Sequence, residues 1–233
     1  MQQFFDFPAH SNCSFETFIV CDGNAGALQF SRNIADADDS ENLLYLHGPH
    51  GSGKSHLLKG IGLAMGQGLP YLSCRETFTP FELTSRFANS PVLLVDDLHL
   101  LPDSADLRVA LWQLFNDFHS AGRAIAMAGL QPPRELPHLD DHLISRLLWG
   151  LVARVDVSDD HSRQMILKKI ASDRQVRIPD DVVDYILMTT SREVGDLIAA
   201  FEHLYCESMA SKRKICQSLA RESREKRSSG VLS

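Results

Sequence analysis

The chain has 233 residues, 44% of them apolar and 23% charged, with a formal net charge of −7. That length suits one α/β domain with a smaller appendage and a sizeable core. The acidic balance argues against broad affinity for nucleic acid, no apolar run approaches a membrane span, and the first residues, Met1 to Pro8, lack the basic start and long apolar stretch of a signal peptide.

Taken in chain order, residues 1–12 read as extended and irregular, with three phenylalanines and a proline. Asn24 to Ala35 has helical spacing. Asn42 to His47 reads as a buried strand that feeds Gly48-Pro49-His50-Gly51-Ser52-Gly53-Lys54-Ser55, and a helix follows to about Met65. Leu69 to Cys74 is predicted as a second strand. Pro80 opens a helix, as proline does at a first turn. Pro91 to Asp97 is an apolar strand ending in two carboxylates. Asp106 to Phe118 is an amphipathic helix with Leu107, Leu111, Leu114, Phe115 and Phe118 along one side. Ala124 to Gly129 and Leu151 to Val157 are the fourth and fifth strands. Apolar strands alternating with helices predict a parallel five-stranded α/β sheet covered on both faces. After Ser158 the pattern is helical only: 162–172, 180–189 and 193–209. The expected organisation is a peptide over 1–12, an α/β domain over 13–157, a helical lid over 158–210 and a basic helix or tail over 211–233. From Met209 onward seven Lys/Arg face two Asp/Glu, a balance of +5 that leaves −12 for the rest. The tail reads as a solvated helix face rather than a nucleic-acid contact. Cys13, Cys21, Cys74, Cys206 and Cys216 are scattered and never in C-x-x-C spacing. They suggest a reducing compartment, without a disulfide framework or zinc site.

Residues 48–55 match the phosphate-loop pattern G-x-x-x-x-G-K-S/T. Its glycines let successive N–H groups turn toward a polyphosphate, and the following helix N-terminus adds positive potential. Lys54 would reach the β- and γ-phosphates of ATP or ADP, Ser55 would place its hydroxyl on Mg²⁺, and His56 extends the nucleotide-contacting stretch. Asp96 and Asp97 have the Walker B form at a strand's carboxyl end, where α/β folds bind ligands. Asp96 would hold Mg²⁺ and Asp97 would polarise water as a general base. Arg146 lies just before strand five. Arg192 sits at a helix N-terminus, where a cation opposes the macrodipole and calls for an anionic partner; a surface salt bridge is the plain alternative for either. Trp112 and Trp149 read as helix packing or loop anchors, and the histidines, His50 and His99 included, as solvated.

From about Phe15 to Leu204 the sequence resembles the AAA+ module of the bacterial replication initiator DnaA. The resemblance rests on Ser14 to Val20 with Gly23-Asn24-Ala25, on Pro132 to Pro137, on Ser145-Arg146 with Trp149 to Val152, and on Ser191-Arg192-Glu193. It implies that Arg146 is an arginine finger reaching a neighbour's nucleotide. By the same resemblance, Arg192 is a sensor-two residue touching its own chain's phosphates, and Ile19 and Val20 line the adenine pocket. Too few residues follow the sensor-two helix for a helix-turn-helix domain, so direct sequence-specific DNA binding is not expected. The pattern resembles the Hda branch, stand-alone homologues that switch the initiator off. Gln2, Phe5 and Phe7 fit that branch's short peptide for the DNA polymerase sliding clamp. The implied function is cytoplasmic regulation of chromosomal replication initiation, with DnaA and the clamp as partners, no membrane, and homo-oligomers left open.

Two departures matter. Leu130 stands where a polar sensor-one residue is usual, and His142 where a second arginine is frequent. Both predict slow self-hydrolysis. The rival reading is an autonomous AAA+ ATPase such as a helicase loader. A small-molecule phosphoryl transferase lacks the basic closing lid it would need, and DNA binding through the tail runs against the acidity of the chain.

Overall fold

A computed structural model describes residues 13–36, 42–191 and 193–229. The chain divides into two units, the first carrying a sheet and running to Val155 except for His50–Ser52, which group with the second, beginning at Asp156.

In the first unit, helix α1 (Ala25–Asp36) precedes strand β1 (Leu43–His47), followed by α2 (Lys54–Met65), β2 (Leu72–Ser73) and α3 (Pro80–Phe87). Then come β3 (Val92–Asp96), α4 (Ala105–Ser120), β4 (Ala124–Gly129), α5 (Asp141–Leu147) and β5 (Leu151–Arg154). The sheet order is β2-β3-β4-β1-β5, with every pairing parallel. Strand alternation sorts the core into two layers. Leu43, Tyr45, Leu93, Val95, Ile125 and Met127 pack with residues of α3, α4 and α5, among them Phe87, Phe115 and Phe118. Leu44, Leu46, Leu94, Ala126 and Ala128 face the other way, onto α1 and α2. The predicted α/β class and five parallel strands are therefore the observed ones.

Two strands are shorter than the sequence suggests. β2 keeps only Leu72–Ser73 of the expected 69–74, because Pro70 has no N–H to give a ladder. β5 stops at Arg154 rather than Val157, although the Val155 N–H still donates to His47 O at 2.7 Å. α3 begins with a full capping box: the Glu82 N–H donates to the Thr79 hydroxyl, and the Thr79 N–H donates to the Glu82 carboxylate.

The second unit is helical: α6 (Asp160–Asp173), α7 (Asp180–Thr189), α8 (Val194–Ser211) and α9 (Gln217–Ser229). Leu167, Val182, Ile186, Leu197 and Phe201 form its core, and Ile215, Leu219 and Ala220 join it from α9 and the turn before it. The basic tail is thus partly a packed helix. Arg213 forms a forked pair with Glu222 (2.6 and 3.1 Å), and Lys226 meets Glu207 at 2.9 Å. Among the described residues, no helix is long and apolar enough to cross a membrane.

Gly150, entering β5, lies so close to β1 that a Cβ would sit 2.4 Å from Leu43 O and from its Cγ. The obstructing atoms include sheet backbone, which cannot step aside. Gly150→Ala should therefore destabilise the domain by about 1–3 kcal/mol, the usual cost of overpacking, read from urea unfolding midpoints at unchanged slope.

Candidate functional site

The phosphate loop joins β1 to α2. Gly53 has φ 104°, a conformation that side chains rarely adopt, and a Cβ there would meet the Phe18 ring at 2.8 Å. Lys54 begins α2, is buried, and donates from Nζ to the carbonyls of Gly48 (2.8 Å) and Pro49 (2.7 Å). The Gly48 N–H donates to Leu130 O at 3.2 Å, tying the loop's start to the end of β4. Pro49, His50 and Gly51 are exposed, and Ser52 is buried.

The segment before α1 is fastened to the same helix. His56 Nε2 donates to Ser14 O (2.8 Å) and lies 3.2 Å from Thr17 Oγ1, while its ring meets Phe18 edge-on at 5.4 Å. Burial holds the imidazole below the ordinary histidine pKa, with Lys59 assisting and the Ser14 carbonyl opposing, so the ring is neutral at pH 7. His56, expected to extend the nucleotide-contacting stretch, is thus a clip on residues 14–18; His99, expected to be solvated, is half-buried. Asn24 continues the fastening: its side chain donates to Ile19 O (3.0 Å) and accepts from the Cys21 N–H (2.8 Å). Ile19 is half-buried and Val20 is 45% exposed.

The two carboxylates at the end of β3 are held differently, by residues in and beside β2: Tyr71 just before it, Ser73 at its end and Arg75 in the turn after it. The Tyr71 hydroxyl donates to Asp96 Oδ2 at 2.5 Å and also bonds Ser55. Asp96 is buried, and its Oδ1 accepts the Asp97 N–H at 2.8 Å. Ser55 and Asp96 therefore share one phenol, which places a hydroxyl and a carboxylate within reach of a common point. These are the hard oxygen donors that Mg²⁺ takes alongside phosphate oxygens. No group of three His, Cys, Asp or Glu able to hold a metal occurs among the described residues. Burial and the Asp96 charge drive the Tyr71 phenol far above its ordinary pKa, so it stays a donor.

Asp97, at φ 54°, accepts from Arg75 Nε (2.8 Å) and Nη2 (3.2 Å) and from the Ser73 hydroxyl (3.0 Å). Burial pushes its carboxyl up, but the Arg75 and Ser73 hydrogen bonds together outweigh that and leave it below the ordinary aspartate value. A carboxylate committed to a guanidinium is a poor base toward water.

Arg146, on α5, is half-buried. Its guanidinium carbon lies 4.6 Å from the Trp149 ring centroid, and among the described residues no carboxylate pairs with it. Trp149 and Trp112 are 60% and 38% exposed, so neither is the packed anchor expected. Arg192 and the segment with Gln2, Phe5 and Phe7 lie outside the described residues.

The profile of the bacterial DnaA ATPase domain matches residues 10–154. The chain belongs to that family. The profile of the Hda lid domain matches residues 160–222. Among curated proteins, the replication initiator DnaA of Thermoanaerobacter sp. is 30% identical over 227 residues, covering 89% of this chain and 51% of the relative. That of Leifsonia xyli is 28% identical over 208 residues, covering 82% and 44%. The chain spans about half the length of the curated relatives it matches. Among solved structures, domain III of Thermotoga maritima DnaA superposes with a TM-score of 0.81 at 23% identity, covering 94% of this chain and 98% of that one. AMPPCP-bound DnaA from Aquifex aeolicus gives 0.77 at 22% identity, covering 94% and 71%. The fold is that of the AAA+ modules of these DnaA proteins.

Sequence reasoning missed Tyr71, Ser73 and Arg75. The available signal was three polar side chains two apart in and just after the segment expected as a strand over 69–74. It also missed Gln131, whose Oε1 is buried without a hydrogen-bond partner among the described residues, one position beyond Leu130.

The Arg75–Asp97 pair gives a pH test. The folded-state pKa of Asp97 lies below the unfolded one, so its contribution is present above the ordinary value and is lost as pH falls through the folded value. With Arg75 57% exposed, the pair is worth about 0–1 kcal/mol. Arg75→Ala should move the Asp97 pKa upward, because burial then acts against fewer opposing bonds. Side-chain carboxyl NMR titration measures this, and an unmoved pKa would show that Arg75 does not hold the carboxylate.

Proposed function

We propose that this protein is a nucleotide-holding regulator of replication initiation that stimulates ATP hydrolysis in DnaA rather than in its own site. One observation carries the reading: the chain's own candidate base, Asp97, is tied to Arg75, whereas Arg146 has no carboxylate partner among the described residues and keeps its charge for an external anion.

In this reading ATP or ADP lies on the loop 48–55. The loop fits a polyphosphate: its backbone is already turned by Gly53, and Lys54 is poised across it on two carbonyls that phosphate oxygens would replace. Ser55 and Asp96 would hold Mg²⁺, which would supply neutralisation of the phosphate charge. Ile19 and Val20, held by the His56 and Asn24 bonds, flank the base, and Arg192 takes the sensor-two role that the resemblance implies. Leu130 brings no side-chain hydrogen bond to a γ-phosphate or water. Arg146 enters DnaA's nucleotide site and stabilises the charge that builds on the transferring phosphoryl group. Residues 2–7, with Gln2, Phe5 and Phe7 as contacts, dock on the sliding clamp and couple the encounter to replicated DNA in the cytoplasm. Residues 1–12 are the clamp peptide, and the lid runs past residue 210 to take in α9.

Nucleotide binding is tested at Lys54. A charge-assisted contact to phosphate is worth about 1.5–3 kcal/mol, so Lys54→Ala should weaken ATP or ADP affinity by about one to two powers of ten in calorimetry.

The regulatory role is tested by phosphate release from ATP-loaded DnaA with clamp on DNA. Alone, this chain should turn over far below the ~1–10³ s⁻¹ of ordinary enzymes. Wild type should accelerate DnaA's hydrolysis, by up to about 10³–10⁵ if the finger is as effective as in well-studied systems. Arg146→Ala should lose that acceleration while binding nucleotide normally. Full stimulation by Arg146→Ala, or several turnovers per second without DnaA, would favour the autonomous ATPase.

A further inference from the structure

We propose that Trp149 is the positioning residue for Arg146: its indole holds the guanidinium in the orientation from which a partner's phosphates are reached. The proposal rests on the reading of Arg146 given above and adds to it the element that makes the finger rigid.

The two residues share one turn. The Trp149 N–H donates to Arg146 O at 3.0 Å just past the end of α5. The next residue, Gly150, is pressed onto Leu43 of β1 with no room for a Cβ, which anchors the turn to the sheet. The indole is braced from a second direction. His119 meets it edge-on at 5.7 Å, and His119 stacks on Phe115 at 6.1 Å with 15° between the rings. Phe115 is fully buried in the core. A line of rings therefore runs from the core through α4 to an indole that is 60% exposed, and the guanidinium lies over that indole at 4.6 Å.

The choice of partner has a consequence. A carboxylate beside Arg146 would orient it but also neutralise it and compete with phosphate. An aromatic face orients a guanidinium through its quadrupole and leaves the full positive charge available. Arginine is a long, flexible side chain, and an untethered one would lose its freedom at the moment of reaction. Held beforehand, it meets the transition state in place.

Two measurements test this. In stimulated DnaA hydrolysis, Trp149→Ala should lower the maximal rate about 10–100-fold while shifting the half-maximal concentration less than about threefold. Trp149→Phe should restore most of the rate, because it keeps a π-face. In a Trp112→Phe background, Trp149 is the one remaining tryptophan. Adding Arg146→Ala there should raise acrylamide quenching, because one face of the indole loses its cover. Wild-type stimulation by Trp149→Ala, when Arg146→Ala is inactive, overturns the proposal and leaves the finger reading standing. Unchanged quenching overturns it as well. Full stimulation by Arg146→Ala overturns the finger reading itself.

Discussion

β1 is paired along both edges, with β4 and β5, and buried on both faces. The rest of the first unit depends on that constraint. A strand so enclosed has no freedom of register, since a slip of one residue would exchange Leu43 and Tyr45 with Leu44 and Leu46 between two differently shaped layers. The phosphate loop begins where β1 ends, and the bond from Gly48 to Leu130 fixes it against the neighbouring strand. All five strands are parallel, so their carboxyl ends lie along one edge. The loop, the end of β4 and the two carboxylates of β3 are gathered there.

Three charged groups of this unit, two of them at that edge, are held by three kinds of partner. Asp96 is buried against a phenol and a backbone amide. Asp97 is paired with a guanidinium and a hydroxyl, which commits its charge internally. Elsewhere on the same unit, the Arg146 guanidinium lies over the Trp149 indole. Neutral donor, opposite charge and aromatic face are distinct electrostatic settings.

The helical unit follows a simpler logic. Its core is built from one face each of α6, α7 and α8, and α9 closes it with Leu219 and Ala220. The positive tail is therefore not a free polycation. Part of its charge is answered by Glu222 and Glu207 within the same unit, which accords with a match to the Hda lid profile that reaches residue 222.

The sequence by itself determined the class of fold, the five strands, the phosphate loop and the family. Each is a local pattern: apolar runs of strand length, glycines at fixed offsets, Asp-Asp closing an apolar strand. Helix spans came close to those observed because period and capping are written within a dozen residues. Less was legible wherever the deciding contact lay far along the chain. Arg75 lies 22 residues from Asp97 and His56 lies 42 from Ser14. No local pattern joins such pairs, so the silencing of Asp97 and the clip on residues 14–18 were invisible. Trp149 was read as an anchor because composition cannot tell a buried indole from an exposed one that carries a cation. Only the tertiary structure decided these, because burial and partner choice depend on which strands lie side by side.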